Sequence, residues 1–136
     1  MGTNKPIKEI YNVYNNFPIE SKYDKWYKEL LNKGTDEINV VDVYNMLRQD
    51  VFKELAILCA CNFIEKNPLE GEMYNGQLLE ILSELSIEEI KQYQIYLEPL
   101  LIQAEKVLKT YSWENPEERN EYKIIVNEFR NKLRNY

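Results

Sequence analysis

Leu55-Ala56-Ile57-Leu58-Cys59-Ala60-Cys61 is the stretch whose reading decides the fold. It carries no charged or strongly polar side chain and lies inside a segment of about 50–66, with Asp50 before it and Asn67-Pro68 after it. A helix that is apolar all round is surrounded by other helices. The segment is therefore expected to be the centre of a helical fold, capped by Asp50. Pro68 ends it, because proline disfavours helix in the residue before it.

The pattern continues outward on both sides. Upstream, Asn39 is an N-cap and Asp42 stands at the third helical position, a short-armed capping box. Val40, Val43, Tyr44 and Leu47 form the apolar stripe that follows. Before it, Ser21 to Lys33 carries Tyr23, Trp26, Tyr27, Leu30 and Leu31 at helical spacing, and Gly34 is expected to close that helix in a left-handed cap. A first helix is expected from Pro6, with Ile7, Ile10, Tyr11, Tyr14 and Phe17 on one face and Pro18 as its stop.

Downstream, residues 69–76 read as a loop with two glycines, followed by a short helix from about Gly76 to Leu85. Ser86-Ile87-Glu88-Glu89 is a capping box that opens a long helix with apolar positions Ile87, Ile90, Leu97, Leu101, Ala104, Leu108 and Tyr111. Pro99 predicts a kink or break near Tyr96, since it removes a donor and clashes one turn back. Asn115-Pro116 pairs an N-cap with a first-turn proline. The last helix then shows Tyr122, Ile125, Val126, Phe129, Leu133 and Tyr136 on one face. No stretch alternates with period two for long. The expected fold is all-α: a compact single-domain bundle, 1–136, of about six to seven helices around the central apolar helix at about 50–66.

A chain of 136 residues is one domain by the usual prior. It has no histidine, which removes the commonest general base, the standard triads and most zinc sites. Its 17 basic and 23 acidic residues leave a formal charge of −6. Such a chain suits a basic partner better than nucleic acid, whose phosphates need clustered Lys and Arg. The excess is local. Between Lys66 and Lys91 there are six glutamates and no base, and setting these six aside leaves 17 acids against 17 bases.

Cys59 and Cys61 point to different sides of a helix and have no further Cys or His ligands, so they read as buried thiols of a reducing compartment. The N-terminus lacks the apolar core of a signal peptide, Pro6 breaks the myristoylation pattern, and no apolar stretch approaches the roughly 20 residues of a membrane span. A cytoplasmic location without membrane contact is expected.

The sequence offers little catalytic chemistry. Glu70 with Glu72 and Glu88 with Glu89 are the nearest carboxylate pairs, and they fit capping or solvated positions better than a two-carboxylate site. The EF-hand spacing is absent, as is the Gly-Lys-Ser/Thr of a phosphate loop. The serines have no histidine to activate them. No enzymatic activity and no cofactor are expected. Arg48 reads as a structural guanidinium paired with Glu70 or Glu72. Tyr74 lies off the helical stripes, where tyrosine has more weight as a contact residue.

Two separated motifs carry a resemblance: Val40-Val41-Asp42-Val43-Tyr44-Asn45-Met46-Leu47-Arg48-Gln49, and Asn67-Pro68-Leu69-Glu70-Gly71-Glu72-Met73-Tyr74-Asn75-Gly76-Gln77-Leu78-Leu79. In this order, around the apolar helix, they resemble the immunity proteins of bacterial contact-dependent growth inhibition (CDI) systems. The resemblance is strongest over 38–86. Gln77 departs from it, standing where an acidic residue is more usual, and the part after Leu85 lies outside it. The resemblance implies a cytoplasmic protein of a Gram-negative cell that blocks the C-terminal toxin domain, often a nuclease, of a surface-delivered effector. It marks Leu47, Arg48, Gln49, Gly71, Glu72, Tyr74, Gly76, Leu78 and Leu79 as motif residues, read here as structural.

The sequence thus points to a non-enzymatic inhibitor, a monomer or weak dimer, that meets a basic toxin site through an acidic face. The expected contacts are Glu70, Glu72, Tyr74, Glu80, Glu84 and Glu88. A helical adaptor for a different basic protein is the second reading, and a metal-dependent enzyme using the glutamates ranks last.

Overall fold

The computed structural model describes residues 5–14 and 16–135. All its regular elements are helical, and among the described residues the sole extended pairing is an isolated bridge between Pro6 and Gly34. The chain divides into two compact units, residues 1–43 and 44–136.

The first unit holds α1 (Ile7–Ile10), α2 (Lys22–Leu31), a 3-10 turn (Thr35–Glu37) and the start of α3 (Val40–Gln49). α1 is one turn long, not the helix to Phe17 that the spacing predicts. Asn12 turns left-handed at φ 53, and Ile10 and Tyr14 stay exposed. α2 starts as expected, with the Ser21 Oγ accepting from the Asp24 N–H at 3.0 Å. Gly34 does not close α2 in a left-handed cap. It is extended at φ −79, and its N–H donates to Glu37 Oε1 at 2.8 Å.

The predicted box at the start of α3 forms in both directions. Asp42 N–H donates to Asn39 Oδ1 at 2.8 Å, and Asn39 N–H donates to Asp42 Oδ2 at 3.1 Å. The buried Asp42 carboxylate also accepts from Trp26 Nε1 at 3.1 Å and pairs with Lys33 at 2.5 Å. A buried charge persists only when its acceptor sites are filled in this way.

In the second unit, Asp50 does not cap the apolar helix. It turns left-handed at φ 57, and Val51 N–H donates back to Met46 O at 2.9 Å, the wide closure of a Schellman turn. Phe52, also left-handed, precedes α4 (Lys53–Lys66). Ala56, Ile57, Ala60, Cys61 and Ile64 are buried, so one face of α4 is central as expected. The other is open: Leu58 is 37% exposed, although its neighbours are apolar.

α5 (Gln77–Ser83) and α7 (Gln94–Thr110) each lie against both α4 and α8 (Pro116–Arg134). Leu78, Leu79 and Leu82 of α5 and Leu97, Leu101 and Ala104 of α7 are fully buried in that arrangement. The Ser86–Glu89 capping box forms, but it opens only α6 (Ile87–Ile90). A 3-10 turn at Lys91–Tyr93 breaks the predicted long helix, ahead of the place where Pro99 was expected to break it. Pro99 itself sits inside α7, and Tyr111 falls past its end, exposed. α8 begins as read, with Asn115 Oδ1 accepting from Glu118 N–H at 2.8 Å, and buries Tyr122, Ile125, Val126, Phe129 and Leu133. Tyr136, the last residue of that predicted face, lies outside the described residues.

Candidate functional site

The loop between α4 and α5 is held by Tyr44 and Gln77 of the two motifs and by Tyr122 of α8. Glu72 N–H donates to the hydroxyl of Tyr44 at 3.2 Å, and Tyr122 donates to Pro68 O at 3.1 Å. Gln77 is buried, and its Oε1 accepts from Met73 N–H at 2.7 Å. The amide oxygen thus supplies the acceptor that an acidic residue would offer there, without burying a charge. Gly76 stands at φ +86, and a Cβ on it would lie 2.5 Å from Cδ1 of Tyr122. Leu47, Leu78 and Leu79 are buried core residues.

Arg48 behaves differently from its expected role. It is exposed, and among the described residues it forms no ion pair with Glu70, Glu72 or any other carboxylate. Its guanidinium lies over the ring of Tyr44, 5.2 Å from the centroid. Gln49 beside it is exposed too.

Between this loop, α5 and α8 runs a groove of about 720 Å³. Six glutamates line it: Glu80 and Glu84 from α5 and its end, and Glu114, Glu118, Glu121 and Glu128 from α8 and the residues before it. Among the described residues that line it there is no Lys or Arg, and none of the six carboxylates is in an ion pair. Met73, Tyr74 and Ile124 add exposed apolar surface, with Met73 77% exposed.

Three bases of α8 are spent elsewhere. Arg130 grips Glu105 at 2.9 Å and 3.1 Å, and Arg119 donates to Leu108 O at 2.9 Å. Lys132 donates to the carbonyls of Ser83 and Leu85 at 2.5 Å and 2.9 Å, filling acceptors that the end of α5 leaves open.

Two hydrogen bonds shape the mouth of the groove. Asn75 Nδ2 donates to Glu118 Oε1 at 2.9 Å, and the Tyr74 hydroxyl donates to Glu80. The bond to Glu80, with partial burial and the Glu80 and Glu84 charges, pushes the Tyr74 phenol up to about 12.

Of the six expected contact residues, the structure brings Tyr74, Glu80 and Glu84 together. Glu70, Glu72 and Glu88 do not line the groove: Glu70 is half-buried, Glu72 is exposed, and Glu88 pairs with Lys91 at 3.0 Å. Glu89 pairs with Lys53 at 2.6 Å. The α8 row was missed by the sequence reading. Its signal was the spacing of four, three and seven from Glu114 through Glu118 and Glu121 to Glu128, one face of a helix.

Chemically, the arrangement is a row of separate anions with apolar contacts between them. Among the described residues no group of three or more His, Cys, Asp or Glu side chains is placed to hold a metal ion. No described helix is long and apolar enough to cross a membrane. The site suits lysine and arginine side chains on another protein, whose charges reach separate carboxylates and whose stems cover Met73 and Ile124.

No curated protein and no solved structure matches the chain. A family model does: that of the CDI immunity proteins matches residues 9–100, wider than the two motifs and ending before α8. With that match over more than half its length, the chain belongs to the family of CDI immunity proteins.

Proposed function

We propose that the chain, 1–136, acts as one functional domain that binds the C-terminal toxin domain of its cognate CDI effector and neutralises it without catalysis, in the cytoplasm of the producing cell. The observation that carries this reading is the groove: six glutamates that, among the described residues, are in no ion pair and have no base beside them in the lining, in a chain of the immunity family. Like charges held together repel, and a basic surface relieves that repulsion on binding. The same field steers a cationic partner and raises its association rate by about 10–10³-fold at low salt. A toxin that acts on nucleic acid carries such a basic surface, and the glutamates would then stand where phosphates bind.

The proposed contacts are Tyr74, Glu80 and Glu84, joined by Glu114, Glu118, Glu121 and Glu128. Glu70, Glu72 and Glu88 belong to the surrounding acidic surface.

The test is charge reversal. Glu80→Lys with Glu84→Lys is expected to weaken binding of the cognate toxin domain by about tenfold or more, the scale of about 1.4 kcal/mol, and to abolish growth rescue on co-expression. Unchanged helical circular dichroism is expected alongside. An unchanged dissociation constant overturns the groove as the contact.

A further inference from the structure

Arg48 lies over a buried ring and, among the described residues, forms no ion pair. Arg119 and Arg130 spend their donors on Leu108 O and on Glu105. Arg48 instead rests its guanidinium on the Tyr44 ring, 5.2 Å from the centroid. That ring is itself fixed. Tyr44 is completely buried, and its hydroxyl accepts from the Glu72 N–H at 3.2 Å. The ring face attracts the cation, and the guanidinium brings five N–H donors that are in no ion pair among the described residues.

The position of Arg48 makes this useful. It lines a second cavity, of about 460 Å³, whose wall includes Tyr74, Glu80 and Glu84, the same side chains that line the acidic groove. A single pre-positioned cation therefore stands at the border of a row of anions.

We propose that Arg48 is a partner-contact residue that takes a carboxylate on the protein filling the groove; this rests on the groove reading given above. The argument is one of charge and shape. Guanidinium has five donors and no acceptor, and its fork matches a carboxylate in two parallel hydrogen bonds. The occupant is a carboxylate set beside the partner's own Lys or Arg, so that the partner's alternation of sign answers that of Glu80, Glu84 and Arg48. A phosphate dianion brings more negative charge against Glu80 and Glu84 in the same cavity.

The contact with the Tyr44 ring also reduces the freedom that the guanidinium loses on binding. Its effect is selective. The groove alone accepts many basic surfaces, whereas a fixed cation rejects those that oppose it with another cation.

The test measures the dissociation constant of the full chain with its cognate toxin domain for wild type, Arg48→Gln, Arg48→Glu and the double variant Glu80→Lys/Glu84→Lys. Thermal unfolding of each is followed in parallel. Arg48→Gln is expected to bind about tenfold more weakly and Arg48→Glu more weakly still, both with nearly wild-type unfolding. Replacing the toxin's Asp and Glu residues singly by Arg is expected to restore binding to Arg48→Glu at one position.

Wild-type affinity in both Arg48 variants, with binding lost in the double variant, overturns the Arg48 assignment and leaves the groove reading standing. Wild-type affinity in the double variant overturns the groove reading and with it Arg48 as a contact of the protein filling the groove. A loss of affinity in Arg48→Glu that no charge swap on the toxin restores also overturns the assignment.

Discussion

Asn75 Nδ2 donates to Glu118 Oε1 over 2.9 Å, joining residues 43 apart in the chain across the mouth of the acidic groove. Asn75 is exposed and Glu118 half-buried, and the bond itself is solvent-exposed, so it contributes little to stability, about 1 kcal/mol at most. Its larger effect is on the spacing of the two acidic walls. Asn75→Ala is expected to leave the urea midpoint nearly unchanged and to weaken toxin binding by a few-fold. Glu118→Lys with Glu121→Lys is expected to weaken binding at least as much as reversal of Glu80 and Glu84, with a small fall in the midpoint from the lost Asn75 bond and the positive charge in the first turn of α8. Titration calorimetry beside urea unfolding separates the two effects.

Tyr74 supplies a spectroscopic handle on the same mouth. Its phenol is pushed up to about 12, first by the hydrogen bond to Glu80, then by burial and by the Glu80 and Glu84 charges. A pKa raised in the folded state contributes stability that is complete below the unfolded value of 10.0 and is lost as the pH climbs toward 12. Glu80→Gln is expected to bring one tyrosine back toward its ordinary value. Difference absorbance between that variant and wild type, followed through alkaline pH, reads it. An identical tyrosine titration in both proteins counts against the bond.

The two glycines of the loop differ from ordinary turn glycines in what lies beside them. At Gly76, with φ +86, a side chain is strained and its Cβ meets the Tyr122 ring. At Gly71 a Cβ would collide with the backbone carbonyl of Tyr74, which cannot swing away as a side chain does. Gly76→Ala is expected to cost about 1–3 kcal/mol from the backbone alone, with displacement of Tyr122 adding to it. Gly71→Ala is expected to distort the loop and to weaken toxin binding as well. Thermal unfolding and binding of the two variants check both outcomes.

Lys53 and Glu89 form a pH-limited tie at 2.6 Å. The hydrogen bond from Lys53, followed by the Ser86 N–H, holds the Glu89 carboxyl below its ordinary 4.5. The bond to Glu89, ahead of a smaller opposing effect of burial, raises Lys53 above its ordinary 10.5. The carboxylate's contribution is therefore full above pH 4.5 and lost as the pH falls through its lowered value. The ammonium's contribution is full below pH 10.5 and lost as the pH rises through its raised value. Lys53→Met is expected to lower stability by under about 1 kcal/mol at neutral pH, since the pair is partly solvated. The difference is expected to shrink on acidification below pH 4.5. Urea midpoints of both proteins across that range provide the check.

Much of the helical framework was legible because its signals are local. Ser21, Asn39, Ser86 and Asn115 each cap a helix by accepting from an N–H three residues on, and such bonds need no tertiary contact. The apolar stripes of α5 and α8 were legible for the same reason, since helical spacing alone puts those residues on one face. The misread ends were set by what surrounds them. Asp50 had the right chemistry for a cap, yet burial of Val51 turns the chain left-handed there. Gly34 had the freedom for a left-handed cap, yet its extended backbone is held by the pairing with Pro6 and the bond to Glu37.

The sequence by itself determined that the chain is helical, where most helices begin, the buried faces of α5 and α8, and that six acids between Lys66 and Lys91 have no base among them. Only the tertiary structure decided which carboxylates act together. Along the chain, the acids of α8 are interspersed with Arg119, Arg130 and Lys132. In space those bases turn to Leu108, Glu105 and the end of α5, and the glutamates are left facing Glu80 and Glu84. The physical reason is range. A cap or a stripe is fixed by neighbours within a turn or two of helix. Whether a charge is paired or left open is fixed by packing between segments distant in sequence. Arg48 shows the same division. Its sequence context suggests a paired structural guanidinium, and the fold seats it on Tyr44 with no carboxylate in ion-pair reach among the described residues.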